Sequence, residues 1–185
     1  MTFPLTFARY KPKERLKAGE VYQTKLQIAA RMIRELKAKG FNFPLVLADS
    51  LYGERNSNFL SVLKELKLEY VVAIRSDRGV WLPQGARIRN NRWRLSQRRF
   101  ADGTSETRYI REVIFGKRTH KRYWQIATDP ETLPTNSTWD GMTKVAGIHY
   151  KEVGNLYGLR NWVEYGLKQS KNELGWADFR VTDAA

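Results

Sequence analysis

The sequence predicts a mixed α/β fold: a sheet with crossover helices, interrupted by a β-rich basic insertion. Three observations carry this reading. Leu45-Val46-Leu47-Ala48 and Tyr70-Val71-Val72-Ala73-Ile74 are short, continuous apolar runs, the pattern of strands buried on both faces. Segments with apolar residues at helical spacing lie before the first run and between the two. From Arg75 to Arg122 the pattern becomes alternation of apolar with polar and basic residues, and this stretch holds 14 of the 33 Lys and Arg but only four of the 19 acidic residues (Asp77, Asp102, Glu106 and Glu112). The chain of 185 residues therefore divides into the first part of an α/β core (1–74), the insertion (75–122), and the remainder of the core with a last helix (123–185).

Residues 1–10 alternate apolar side chains (Phe3, Leu5, Phe7) and read as the end of a strand with partners upstream. Lys11-Pro12-Lys13 is a turn. Between Glu20 and Lys39 the residues Val21, Ile28, Ala29, Met32, Ile33 and Leu36 fall at helical spacing, and Gly40 is placed to end that helix. The strand 45–48 follows, with Asp49 at its carboxyl end and a turn containing Gly53. A second helix, Asn58 to Lys67, carries Leu60, Leu63 and Leu66, with Ser57 as a cap. The strand 70–74 leads into the insertion, where Trp81, Ile88, Trp93, Leu95, Phe100, Tyr109, Ile110 and Val113 to Phe115 alternate with polar and basic residues. Pro83, Asn90-Asn91 and Asp102-Gly103 supply its turns. It reads as a small antiparallel unit with one basic face, the alternative being the solvated face of an ordinary sheet. Residues 123–128 form another strand, closed by Asp129-Pro130; residues 136–150 read as loop then short helix; a helix from Asn155 to Leu174 follows.

Composition narrows the function. A formal net charge of +14 calls for an anionic partner, most commonly nucleic acid. A membrane surface fits less well, because there is no basic amphipathic helix and no apolar run near the ~18 residues a span requires. Met1 to Leu5 lacks the features of a signal peptide. The absence of cysteine excludes disulfides and cysteine zinc sites and agrees with a cytoplasmic location. With two histidines, His120 and His149, a metal here must be held by carboxylates.

Two carboxylates stand out. Asp49 lies just beyond a strand's carboxyl end, where open α/β sheets place functional groups; a turn-capping Asp is the alternative. Glu164 shares a helix with Tyr157, Arg160 and Lys171, and at ~100° per residue the four fall in a stripe ~60° wide. Leu156, Leu159, Val163, Leu167 and Leu174 form the apolar stripe beside it. The charged row thus runs along the margin of the buried face, as on a helix bordering a cleft; a surface helix with ordinary charge pairs is the alternative.

The spacing Tyr157-x2-Arg160-x3-Glu164-x6-Lys171, with the flanking Glu152 to Arg160 and Gln169 to Trp176, resembles the signature around the third acidic residue of the insertion-sequence-four superfamily of bacterial DDE transposases. Leu47-Ala48-Asp49-Ser50-Leu51-Tyr52-Gly53 resembles the segment holding that family's second catalytic Asp. The resemblance covers essentially the whole chain. It implies a ribonuclease-H-like fold whose β-rich insertion falls between the second Asp and the Glu; here 115 positions separate Asp49 from Glu164, and the basic block fills that interval. It further implies three carboxylates holding two Mg²⁺ ions (or Mn²⁺) ~3.5–4 Å apart, for cleavage and strand transfer of phosphodiesters. Asp49 and Glu164 would be two of them.

Tyr157, Arg160, Lys168 and Lys171 would hold the transposon-end strand. Arg87, Arg89, Arg92, Arg94, Arg98, Arg99, Lys117, Arg118, Lys121 and Arg122 would contact the DNA backbone. Trp81, Trp93 and Trp124 either stack on bases or form the insertion's core. The implied partners are double-stranded DNA (terminal inverted repeats and target) and a second copy of the chain on that DNA, with no membrane; the implied setting is the bacterial nucleoid. The chain departs from the family at its start, and also stops soon after Gly175 where more helix is expected. No Asp precedes Asp49, and Glu14, Glu20 and Glu35 end no apolar strand, so the first catalytic Asp and its strand are expected to be missing, as in a truncated copy or split reading frame. Asp129, in an Asp-Pro pair, reads as a turn residue rather than a substitute. A non-catalytic DNA-binding or inhibitory remnant is the second reading. Another ribonuclease-H-like nuclease is the third, disfavoured by the Tyr-Arg-Glu-Lys row and the long insertion.

Overall fold

The computed structural model describes residues 5–53, 58–75, 82–99, 103–131 and 137–159. Strands β1 (Leu45–Ala48) and β2 (Glu69–Ile74) run parallel, Leu45 opposite Glu69 and Ala48 opposite Val72. A parallel pair needs a crossover, and α2 (Asn58–Glu65) supplies it. Ahead of β1 lies α1 (Lys25–Ala38), which starts where Thr24 and Gln27 form a capping box, each side chain bonded to the other's backbone. It starts later than Glu20 because residues 17–20 make a separate turn, with Gly19 at φ 84°. It ends, as its sequence predicts, before Gly40, also at φ 84°.

The described strands form one seven-stranded sheet in the order β1-β2-β7-β6-β5-β3, with β4 also paired to β5. The remaining strands are β3 (Ile88–Asn90), β4 (Arg94–Arg99), β5 (Ser105–Phe115), β6 (Arg122–Ala127) and β7 (Ser137–Thr143), all antiparallel to their neighbours. The sheet is therefore mixed, and β5 joins the basic block to the same sheet as β2 through β6 and β7. β3 and β4 act as one bulged edge strand: Asn90 faces Val113 and Arg94 faces Ile110, so Asn91 to Trp93 oppose only two residues of β5. The Asn91 amide still donates to the Glu112 carbonyl at 3.0 Å.

Helices cover parts of both faces. On one, Val46, Ala48, Tyr70 and Val72 pack against Phe59, Leu60 and Leu63 of α2, with Leu26, Ala29 and Ile33 of α1 closing over them. On the other, α3 (Tyr150–Gly158) sets Val153 and Leu156 over Val71, Ala73, Ile110 and Trp124. Val153, Leu63, Val71 and Val72 are wholly buried; each such side chain contributes about 1.5–3 kcal/mol of burial. Among the described residues, no helix is long and apolar enough to cross a membrane.

Three further elements differ from expectation. Residues 5–10 form no strand, and Leu5 and Phe7 lie exposed; alternation makes a strand only where a ladder partner exists, and no described strand pairs with this segment. Residues 137–143, read as loop, are strand β7, which sits between β2 and β6. Asp140-Gly141 inside Ser-Thr-Trp-Asp-Gly-Met-Thr looks like a turn, but pairing on both edges overrides that local preference. The helix expected at Asn155 begins at Tyr150. Glu152 accepts a hydrogen bond from the His149 amide at 2.8 Å, a capping contact that a Glu three residues after His149 could have signalled.

Candidate functional site

Asp49 is the first residue beyond β1 and is partly buried. Its carbonyl accepts from the Tyr52 amide at 3.1 Å and its carboxylate Oδ1 from the Leu51 amide at 2.9 Å, closing a tight turn. Among the described residues no hydrogen bond engages the other carboxylate oxygen. The carboxylate therefore caps a turn and leaves its second oxygen open to a ligand. Tyr52 anchors the turn, its ring 5.1 Å from that of Phe59 on α2. Burial pushes the Tyr52 phenol up from its ordinary value, and the negative charge of Asp49 pushes it further.

Gly53 fixes where the turn lies. A Cβ there would sit 2.0 Å from the Ala73 carbonyl oxygen and 3.1 Å from Ile74 Cγ2, so the chain after Asp49 presses directly on the end of β2. Gly53→Ala is expected to cost about 1–3 kcal/mol, because backbone rather than a flexible side chain must give way. Urea unfolding measures it; a loss below ~0.5 kcal/mol, the range of ordinary surface changes, would show that the turn is free to shift.

Both α1 and α2 point their amino termini toward the Asp49 end of the sheet. α1 ends shortly before the start of β1 and α2 shortly before the start of the parallel β2, and Arg34, late in α1, bridges Glu65, the last residue of α2, at 2.6 Å. The carboxyl ends of both helices thus lie at the end of the sheet away from Asp49, and the two run in the same direction. The positive ends of two helix dipoles therefore lie on the side where Asp49 sits.

Glu164, Arg160, Lys168 and Lys171 lie outside the described residues, as does Trp81; Tyr157 is on α3, one residue past Leu156. Among the described residues no three acidic or histidine side chains come together as a metal site. Asp129 takes the turn role expected of it, its Oδ1 accepting from the Glu131 amide at 2.9 Å.

The basic side chains of the insertion fall into distinct environments. Arg87, Arg89, Arg92 and Arg94 are exposed along the β3–β4 edge, with Arg89 donating to the Gly116 carbonyl at 3.0 Å and Arg94 5.1 Å from the Tyr150 ring. Arg98 and Arg99 end β4, opposite Glu106 and Ser105. Lys117 and Lys121 are exposed between β5 and β6. Arg118 and Arg122 instead converge on Glu112, whose side chain is only 2 % exposed. Arg122 donates to both its oxygens (2.8 and 2.9 Å) and to the Ile148 carbonyl at 2.9 Å, and Arg118 adds a bond at 2.9 Å. Composition does not show that these two arginines have an internal partner; the signal was Glu112 at an inward-facing position of an alternating strand. Trp124 is core, its Nε1 donating to Thr143 Oγ1 at 3.1 Å. Trp93 is half-buried under the Arg111 guanidinium, 4.3 Å from its ring centre.

The chain is 60 % identical over 182 residues to a protein of Microchaete diplosiphon described as a probable transposase for insertion sequence element IS701, a match taking in 98 % of this chain and 48 % of that one. The chain thus spans about half the length of that relative. No solved structure matches it. Residues 4–134, which include Asp49 and most of the sheet, match the family described as DDE superfamily endonuclease. Over most of its length, then, this chain belongs to the DDE superfamily of endonucleases.

Proposed function

We propose that this chain is part of a transposase that cuts and joins DNA phosphodiesters at transposon ends, with Asp49 as one of its metal-binding carboxylates. The observation that carries the proposal is the position of Asp49: a carboxylate just past a parallel strand, held by a turn that Gly53 locks onto β2, within the stretch that matches the endonuclease family. The fold is ribonuclease-H-like, with β1, β2, α1 and α2 from its core, residues 75–122 its insertion, and residues 123–185 returning to the core with Glu164 as a second carboxylate.

The donor chemistry suits Mg²⁺ or Mn²⁺. Asp49 offers a hard carboxylate oxygen that no described side chain engages, and the chain has no cysteine to draw a softer metal. Asp49 and Glu164 would hold the ions, which supply Lewis-acid activation of the attacking oxygen and stabilisation of the leaving one. The chain's own part is to fix Asp49 through the Leu51 amide, keep Tyr52 packed against α2, and turn two helix amino termini toward the phosphate side. Exposed Arg87, Arg89, Arg92 and Arg94 give the β3–β4 edge a sequence-independent grip on duplex phosphates, with Tyr157, Arg160, Lys168 and Lys171 on the transposon-end strand. Arginines along an exposed edge also deter pairing between sheets, so charge there serves structure as well.

The test is nicking of duplex DNA bearing terminal inverted repeats, with Mg²⁺ and with chelator. Metal-dependent nicks at the repeat ends are expected. Binding of the repeats with no nicking in Mg²⁺ or Mn²⁺ would instead establish a DNA-binding or inhibitory role for the chain.

A further inference from the structure

Ahead of α1 the chain makes a hook whose charge has no part in the site described above. From Arg9 to Lys25 it holds six basic residues (Arg9, Lys11, Lys13, Arg15, Lys17 and Lys25) against two acidic ones (Glu14 and Glu20). Short-range bonds close it. A 3-10 turn spans Lys13–Arg15, the Glu20 amide donates to the Lys17 carbonyl at 3.0 Å, and Gly19 adopts the left-handed conformation this requires. The two limbs then meet: Lys11 pairs with Glu20, whose other oxygen accepts from the Lys17 amide at 3.0 Å, and Tyr10 and Tyr22 join hydroxyls at 3.3 Å. Lys13 lies over the Tyr22 ring at 5.1 Å and Lys25 over the Tyr10 ring at 5.2 Å.

Glu20 is thus used internally, on Lys11 and the turn. Among the described residues no carboxylate pairs with Arg9, Lys13, Arg15, Lys17 or Lys25, and all five are exposed. Five cations against the one remaining carboxylate, Glu14, leave the closed loop with a net repulsion that an anionic partner would relieve. Lys25 adds to this. It occupies the first turn of α1, which has no acidic residue, so a cation sits at the positive end of the helix dipole. The hook also occupies a particular place. Because α1 and α2 run in the same direction, the amino terminus of α1, and the hook attached to it, lie at the Asp49 end of the sheet. The β3–β4 arginines sit on the opposite edge of the sheet from β1, so the two basic surfaces are separated by its width.

We propose that the Arg9–Lys25 hook is a second contact for duplex phosphates, on the Asp49 side, so that one duplex crossing the sheet end is held by cations on both flanks. This rests on the DNA-binding reading and adds a surface to it. Cations spaced along a loop and steadied by tyrosine rings suit a run of backbone phosphates, which carries regularly spaced charge and no required sequence.

The experiment is binding of a fluorescent 30-base-pair duplex of arbitrary sequence to the full chain between 50 and 200 mM salt, comparing wild type with Lys13→Ala/Arg15→Ala/Lys17→Ala. These side chains are exposed and form no ion pair, and Lys13 gives up only its contact with the Tyr22 ring, so the variant is expected to keep its fold, checked by urea unfolding. The expected result is roughly tenfold or greater weakening and a fall in the salt slope of up to ~2.7, at ~0.9 for each phosphate no longer neutralised, alike for any sequence. The variant Glu20→Gln keeps every cation but frees Lys11 and loosens the hook; it should bind no more weakly than about threefold, with an unchanged or steeper slope. Wild-type binding with an unchanged affinity and slope in the triple variant would overturn the hook's role while leaving DNA binding intact. Selective loss of binding to phosphatidylserine vesicles, with duplex binding unaltered, would likewise overturn it in favour of a lipid surface. Absence of wild-type binding to any duplex would instead bring down the DNA-binding reading beneath it.

Discussion

Asp49→Asn is expected to abolish metal-dependent nicking, lowering it by at least ~10³-fold, while leaving the chain folded. A carboxylate that holds a catalytic metal accounts for several kcal/mol of transition-state stabilisation, and ~4 kcal/mol is already a factor of ~10³. The asparagine is nearly the same shape, and its amide oxygen can accept the bond from the Leu51 amide now made at 2.9 Å, so the turn survives. Stability should therefore change by less than ~0.5 kcal/mol. That separation makes the variant informative, since Asp49→Ala would also remove the turn cap. A second readout does not depend on turnover: Mn²⁺ should raise the melting temperature of the wild type in a concentration-dependent way and should leave Asp49→Asn unmoved. Nicking within tenfold of wild type, or an undiminished Mn²⁺ shift, would take Asp49 out of the metal site.

The same residue shows how much the sequence discloses. The position of Asp49 was legible because an apolar strand run that stops abruptly at a polar residue marks a strand end, and β1 ends at Ala48 as that run predicts. Gly40 was legible for a similar local reason, since a helix needs a left-handed residue to end on. Gly53 was legible only as a turn residue; its contact with the Ala73 carbonyl comes from β2, twenty positions away, and no local pattern encodes it. β7 was not legible at all. Its Asp140-Gly141 pair favours a turn, and only pairing with β2 on one side and β6 on the other makes it a strand. The basic block showed the same limit from the other direction. Charge counting found the excess cations but not that Glu112, inside the same stretch, engages two of them. It also drew attention away from the hook, where fewer cations lie but most lack a carboxylate partner.

Glu112 carries the largest stability prediction. Its carboxylate is buried on β5 between the Arg122 guanidinium and Arg118, with the Asn91 side chain at 3.3 Å. Burial pushes the carboxyl up, but the hydrogen bond and charge of Arg122, then those of Arg118, outweigh it and hold Glu112 below its ordinary value of 4.5. A carboxyl lowered in the folded state contributes stability that is fully present above the unfolded value and is lost as the pH falls through the folded one. The contribution is thus constant from neutral pH to about 5 and drains away below ~4.5.

Glu112→Ala should cost about 3–5 kcal/mol at pH 7, since it leaves Arg122 largely enclosed without its counter-charge. Glu112→Gln keeps an acceptor but not the charge and should cost about 1.5–3 kcal/mol, a gap that narrows as the pH drops below ~4.5. Urea unfolding across pH 3.5 to 8 measures both. The double variant Glu112→Ala/Arg122→Met should recover part of the loss, because much of the single variant's cost is an orphaned cation rather than a missing attraction. If Glu112→Ala were as stable as wild type, or the Gln variant's deficit were the same at pH 3.5 as at 7, the pair would be a surface contact that solvent replaces. The outcome also decides how Arg122 is read. As the partly buried partner of Glu112 it should alter DNA binding only through folding, with no change in the salt slope of the folded protein, whereas Arg92 and Arg94 on the open edge should each lower that slope by ~0.9.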